Sequence, residues 1–191
     1  MRSFERAQEL GEVFTNKREV EAMLDLVPDM FLSLDATFLE PACGNGNFLV
    51  EILSRKIRLI TVERFGGEPG WFEFSLLRAL ASIFAIDIDQ ENVDEARSRL
   101  FEIVLAAQAL QATATSPAFE KAVQKILQTN IILGDSLKSP REIMFIEYVA
   151  MEGQKFERNP FFLQQPDMDL FYVSPTPLDK VHYLKLGEEQ L

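Results

Sequence analysis

Three carboxylates stand at the ends of three short apolar runs. Glu40 closes Thr37-Phe-Leu, Asp87 closes Ile83-Phe-Ala-Ile, and Asp135 follows Asn130-Ile-Ile-Leu-Gly. Runs this short, apolar and rich in isoleucine read as buried parallel strands. The carboxyl ends of such strands share one sheet edge, where α/β proteins bind their ligands. A carboxylate at the end of the second strand can accept both hydroxyls of a ribose, so Asp87 is a candidate for a nucleoside. Asp89 suffices to cap the helix that starts at Gln90, which leaves Asp87 for a ligand. Between the first two acids lies Pro41-Ala-Cys-Gly-Asn-Gly46, a turn with no Cβ at Gly44 or Gly46. It lets a ligand approach the main chain and aims free N–H groups at anionic or oxygen-rich atoms.

Other reactive side chains are few. Cys43 is the single cysteine, which excludes an internal disulfide and a multi-cysteine zinc site, and its place in the glycine turn suits a small residue in a crowded spot. His182 is the single histidine, beside Tyr183 in a C-terminal run, and reads as a surface or half-buried residue. No metal site is expected.

The elements that must position these residues alternate. Thr15 or Asn16 can cap a helix with Val20, Met23, Leu24 and Val27 on one face, ending at Pro28; a short helix over 3–10 precedes it. A helix follows the glycine turn from about Gly46 to Arg58, with Phe48, Leu49, Ile52 and Leu53 inward. Gly66, Gly67, Pro69 and Gly70 mark 60–71 as a loop, and Phe72–Ala81 is again helical. The run from Gln90 to about 111 and that from Pro117 to Gln128 supply two more helices. Helices between strands in this order give an α/β fold with a Rossmann-like, mostly parallel sheet and helices on both faces. Beyond Pro140 the pattern changes: Ile143–Ala150, the turn Glu152-Gly153 and Gln154–Leu163 read as a β-hairpin added to the sheet. In the tail only 170–173 and 181–186 could be strands, because Pro166, Pro175 and Pro177 interrupt it. One domain is expected over 1–191, with a core over 10–137 and a hairpin and irregular tail over 138–191.

Composition bounds the partners. An apolar fraction of 47% with 26% charged residues is ordinary for a globular chain, and no run approaches the ~18 apolar residues of a membrane span. A cytoplasmic protein with no membrane partner is the expectation. The net charge of −11 opposes free-standing contact with nucleic acid phosphates.

Phe38-Leu-Glu-Pro-Ala-Cys-Gly-Asn-Gly-Asn-Phe-Leu49 resembles the first motif of class I S-adenosylmethionine-dependent methyltransferases, specifically the DNA adenine-N6 methyltransferases of restriction-modification systems. Gly11-Glu-Val-Phe-Thr15 resembles the motif that precedes the glycine loop in that group, Ala85-Ile-Asp-Ile-Asp89 the second motif, and Asn130–Ser136 the third. The ordered set covers about 10–137. The resemblance implies S-adenosylmethionine as cofactor, with Phe14 and Thr15 at its methionine end, where the group commonly has a proline after the threonine and this chain has Asn16. It implies Glu40, Ala42, Gly44 and Gly46 around the methionine pocket, Asp87 on the ribose, Ile88 against the adenine, and Asp135 with Ser136 at the adenine amino group.

The catalytic motif of that group is an Asp/Asn/Ser-Pro-Pro-aromatic loop after the fourth strand, whose oxygens accept the N6 hydrogens while the ring stacks on the flipped base. Asn159-Pro-Phe-Phe162 keeps the Asn, the first Pro and the aromatic, so Asn159, Pro160 and Phe162 are the catalytic candidates, although the preferred reading of the stretch is a hairpin strand packing two phenylalanines. Ser174-Pro-Thr-Pro177 follows a better strand but lacks the second Pro and the aromatic. No basic recognition region follows Ser136, so DNA would be reached through a protein partner that supplies recognition. Two functions are therefore expected: a DNA adenine-N6 methyltransferase or subunit with its catalytic motif degenerate or supplied by a partner, or a catalytically inactive methyltransferase-like binding protein. A small-molecule methyltransferase is a third possibility and lacks a visible acceptor site.

Overall fold

The structure is a computed structural model that describes residues 15–60, 69–110, 116–164 and 175–188 of the 191. The helix expected over 3–10, Phe14, and the strand expected over 170–173 lie outside the described residues.

The first element is helix α1 (Lys17–Leu24), and Asn16 is its N-cap. The Glu19 amide donates to Asn16 Oδ1 (3.2 Å) and the Asn16 amide donates to Glu19 Oε2 (3.3 Å), a reciprocal capping box. The helix buries Val20 and Leu24. Met23 and Val27, expected on the inner face, are exposed: the helix stops at Leu24 and the chain turns into a 3-10 helix over Pro28–Phe31.

Strands β1 (Phe38–Glu40), β2 (Ile83–Asp87) and β3 (Ile131–Leu133) form a parallel sheet in the order β1-β2-β3. Phe38 pairs with Ile83, Glu40 with Ala85, and Asp87 with Leu133. Helices α2 (Asn47–Ile57) and α3 (Pro69–Ala81) connect β1 to β2, and α4 (Gln90–Ala109) and α5 (Pro117–Asn130) connect β2 to β3. The third helix starts at Pro69, inside the expected loop, with proline in its first turn, where its missing N–H costs no intrahelical bond.

Both crossovers step across the sheet in the same direction, and right-handed crossovers of that kind set their helices on one face. Ile83, Ala85 and Ile131 accordingly join the helical core with Leu49, Leu53, Ala96 and Leu100. The other face, Phe84 and Ile86, packs on Ile143 and Phe145, with Ile132, Phe161 and Leu163 alongside. Among the described residues this face therefore meets strands, where the sequence pattern led us to expect helices on both faces. Phe84, Phe145 and Phe161 form a mutual cluster with ring centroids 5.3, 5.4 and 5.6 Å apart.

Those strands form a second, antiparallel sheet, β4 (Met144–Met151), β5 (Lys155–Phe162) and β6 (Leu178–His182), in that order. The expected hairpin is present, turning through Gly153 (φ 71°) and Gln154 (φ 56°). Of the run expected over 181–186 only Val181 and His182 are strand: β6 starts earlier, at Leu178, and after His182 the chain closes into a 3-10 helix over Tyr183–Glu188. Hydrogen bonds from Ile146 N–H to Asn130 Oδ1 (3.2 Å) and between Thr129 Oγ1 and the Tyr148 hydroxyl (2.9 Å) tie this sheet to the end of α5.

The approach to β1 is set by a fully buried lysine. Lys56 Nζ donates to the carbonyls of Ser33 (3.4 Å), Leu34 (2.9 Å) and Ala36 (2.7 Å), which uses all three ammonium hydrogens on one loop.

Candidate functional site

The glycine turn begins as an extension of the sheet. The Cys43 amide donates to the Ile86 carbonyl (2.9 Å), the Gly46 amide to the Cys43 carbonyl (2.9 Å), and the Val50 amide to the Gly46 carbonyl (2.9 Å), so strand, turn and helix α2 are continuous. Gly44 has φ 52° and Gly46 φ 85°, a region that side-chain-bearing residues rarely enter. Position 46 has a second constraint. A Cβ there would lie 3.0 Å from Ala96 Cβ and 3.3 Å from Ala96 Cα, so α4 would have to give by a few tenths of an ångström to admit one.

Asp87 closes the turn from the neighbouring strand. Its carboxylate is buried, with 8% exposure, and accepts from the Gly44 amide at Oδ2 (2.8 Å) and from the Asp89 amide (2.9 Å) and Asn92 Nδ2 (3.2 Å) at Oδ1. Asp89 caps α4, as its position suggests, by accepting from the Glu91 amide (2.9 Å). Asp87 thus already holds both the turn and the helix start. Ile88 between the two acids is 59% exposed at the strand end.

The third strand end is tied to the first. Ser136 Oγ donates to the Pro41 carbonyl (3.0 Å), across 95 residues of chain. Asp135 Oδ1 accepts from the amides of Lys138 (2.9 Å) and Leu137 (3.0 Å), and Lys138 Nζ lies 3.4 Å from Oδ2. The Lys138 amide, with those neighbours, holds the Asp135 carboxyl below the ordinary carboxylate range. Glu40 is shifted the other way: burial raises it, and the Ala42 amide at 3.3 Å opposes the rise. Burial, then the charges of Asp87 and Glu40, push the Cys43 thiol up to about 12, so it stays protonated and is no nucleophile near neutral pH. Ala42 is exposed at the start of the turn.

Thr15 comes to the same place. Its carbonyl accepts from Asn47 Nδ2 (2.9 Å), the first residue of α2. Thr15, Glu40, Ala42, Gly44, Gly46, Asp87, Ile88, Asp135 and Ser136 thus cluster at or beside one sheet edge.

Asn159, Pro160 and Phe162 are not part of this cluster. They lie in β5, paired with Glu147, Ile146 and Met144 of β4, and Asn159 Nδ2 donates to Glu147 Oε2 (3.3 Å). The tetrapeptide is an extended strand in a ladder, not a loop, and Phe161 between them packs on Phe84 and Phe145. Of the second candidate, Ser174 lies outside the described residues, and Pro175–Pro177 lead directly into β6. His182 closes β6, where its Nδ1 accepts from the Leu184 amide (3.3 Å); burial, with Lys155 and Lys185 nearby, lowers its pKa and favours the neutral ring. A cleft of about 490 Å³ beside β1 is lined by Thr37, Leu39, Phe84, Phe145, Glu147 and Phe161, and touches neither the glycine turn nor the three carboxylates.

Sequence patterns did not single out the α4 residues that brace the turn. Arg99 Nη1 donates to the Asn45 carbonyl (2.6 Å) and to Asn47 Oδ1 (2.9 Å), and Asn45 Nδ2 donates to Glu95 Oε1 (3.0 Å). The available signal is spacing: Asn92, Glu95, Ala96 and Arg99 fall on one helical face, where polar residues surround a single alanine.

The chain matches no protein-family model, no curated protein and no solved structure. Among the described residues no helix is long and apolar enough to cross a membrane, and no group of three His, Cys, Asp or Glu residues is placed to hold a metal ion.

Proposed function

We propose that this chain is the S-adenosylmethionine-binding part of a DNA adenine-N6 methyltransferase, built on the first half of a Rossmann-like sheet and acting with a protein partner that supplies DNA recognition and the catalytic loop. The observation that carries this reading is the convergence of the glycine turn, three parallel strand ends and Thr15 at one edge.

The residues present fit such a cofactor in kind. The turn carries no Cβ at Gly44, and half-buried Glu40 offers a carboxylate to the amino group of the methionine end, while the space beside Gly46 is taken by Ala96. Ile88 gives an exposed apolar surface for the adenine, and Asp135 is an acceptor held ionised by its own loop. Asp87 is the demanding partner. A carboxylate has about four acceptor sites, and three donors already use those of Asp87, so one ribose hydroxyl takes the open site and a second displaces an existing donor. When bound, the cofactor supplies an electrophilic methyl group; what this chain does is hold and orient it.

A second reading is a methyltransferase-like binding protein with no transfer activity of its own. The ladder pairing of Asn159–Phe162 favours it, because that backbone is engaged with β4. Incubation of the purified chain with unmethylated DNA and labelled cofactor separates the two. Transfer only in the presence of a second subunit supports the first reading; cofactor binding without transfer under any pairing supports the second.

A further inference from the structure

Arg99 and Asn47 join three segments that are far apart in sequence. Arg99 in α4 donates through one nitrogen to the Asn45 carbonyl and to Asn47 Oδ1, spanning 54 and 52 residues. Asn47 then donates through Nδ2 to the Thr15 carbonyl, spanning 32. The amide of Asn47 is oriented by partners at both ends, a guanidinium donor on its oxygen and a carbonyl acceptor on its nitrogen. Glu95 and Ala96, one turn before Arg99, fix the adjoining residues Asn45 and Gly46. The α4 face is thus a template against which the far half of the glycine turn is set, and Thr15 is set through it.

We infer that Arg99 is a positioning residue for the methionine end of the cofactor pocket, acting through Asn47 to hold the Thr15 main chain against the glycine turn. This rests on the cofactor reading above and adds to it a residue outside every motif of the resemblance. Arg99 bonds on the Thr15 side of the site, whereas the adenosine side is held by Asp87 with Asp89 and Asn92, joined to the turn through Gly44, and by Asp135 with its own loop. Loss of Arg99 therefore separates ligands by which end they carry. 5′-Methylthioadenosine shares the adenosine and the sulfur of S-adenosylmethionine but lacks the amino-acid end.

The test is calorimetric titration of the full chain, as wild type, Arg99→Met, Arg99→Lys and Asn47→Leu, with each of these two ligands. Removing a charge-assisted hydrogen bond that shapes a site weakens its ligand about tenfold. We expect that loss for S-adenosylmethionine in Arg99→Met and in Asn47→Leu, no loss for methylthioadenosine in either, and substantial recovery in Arg99→Lys, which keeps a donor cation. Asn47→Leu leaves the Arg99–Asn45 bond in place and carries the test if Arg99→Met does not fold. Equal weakening of both ligands would show a general structural role and overturn the inference, as would unchanged affinity for both. A wild-type chain that binds methylthioadenosine and S-adenosylmethionine equally well overturns it while sparing the nucleoside site; one that binds neither overturns the cofactor reading as well.

Discussion

The Gly44 amide donates a 2.8 Å hydrogen bond to Asp87 Oδ2, so the acid at the end of β2 clasps the turn that follows β1. The same carboxylate takes the Asp89 amide and Asn92, which makes it the joint between two strand ends and the start of α4. Asp87→Asn keeps the size but replaces one acceptor oxygen with a donor. Leaving a buried donor without its partner costs about 1–3 kcal/mol, so urea denaturation should show that loss, and titration should show weaker cofactor binding. An unchanged affinity in a folded Asp87→Asn protein would remove Asp87 from the ribose.

Both glycines of the turn lie in the left-handed region. At Gly44 (φ 52°) an alanine meets the left-handed backbone conformation, a cost of about 1–2 kcal/mol. Gly46→Ala meets the same conformation and, in addition, the main chain of α4 at Ala96. Thermal melts should therefore show Gly46→Ala losing more than that conformational cost alone; a loss confined to it would contradict the close approach of α4.

Asn159 supplies a sharp contrast with the turn. Its side chain bridges to Glu147 on the surface of the hairpin, so Asn159→Ala should change stability by no more than about 0.5 kcal/mol and leave cofactor affinity unchanged. Methyl transfer by the wild-type chain that vanishes in Asn159→Ala would overturn the assignment of this tetrapeptide to a strand alone.

How much of this could be read from the sequence depends on the range of the interaction. Strand ends, the glycine turn, the Asn16 and Asp89 caps and the β4–β5 hairpin are local patterns of period and turn chemistry, and all were legible. The division of the sheet into a helical and a strand-covered face was not, because it follows from the direction of both crossovers, which no local window contains. The engagement of Asp87 was hidden for a related reason: its donor from Gly44 lies 43 residues away. Arg99 falls in a long helix with no motif around it, and its contact with Asn45 and Asn47 is what marks it. The catalytic motif of the resemblance is a loop, whereas Asn159–Phe162 is the hairpin strand that its pattern also suggests, with Pro160 inside a paired ladder.

Lys56 gives the protein a pH signature. Burial pulls its pKa from the ordinary lysine value down to about 8, against the opposing charge of Asp35. The folded chain then holds fewer protons than the unfolded chain between about pH 8 and 10.5, so stability contributed at this site rises with pH over that window. The gain is at most about 3 kcal/mol, and it is absent in Lys56→Met, which lacks the titrating group. Denaturation of both proteins at pH 7.5 and pH 10 checks the sign: the wild type should gain on the variant, and a wild type that loses ground would show an ammonium stabilised by its three carbonyls.

The C-terminal 3-10 helix should report on the unity of the domain. Tyr183 donates to Glu73 Oε2 (2.8 Å) in α3, and a Cβ at Gly187 would collide with Lys121 Cβ and lie 2.8 Å from the Lys121 carbonyl carbon in α5. Gly187→Ala should lower the melting temperature of a single cooperative transition. A separate early transition would instead mark the second sheet and tail as an independent unit.

Isothermal titration of the purified chain with S-adenosylmethionine bears most directly on the site at the strand ends. Binding with a Kd in the micromolar range, about −8 kcal/mol, is the expected result. Absence of binding at millimolar cofactor would contradict both the methyltransferase reading and its non-catalytic alternative.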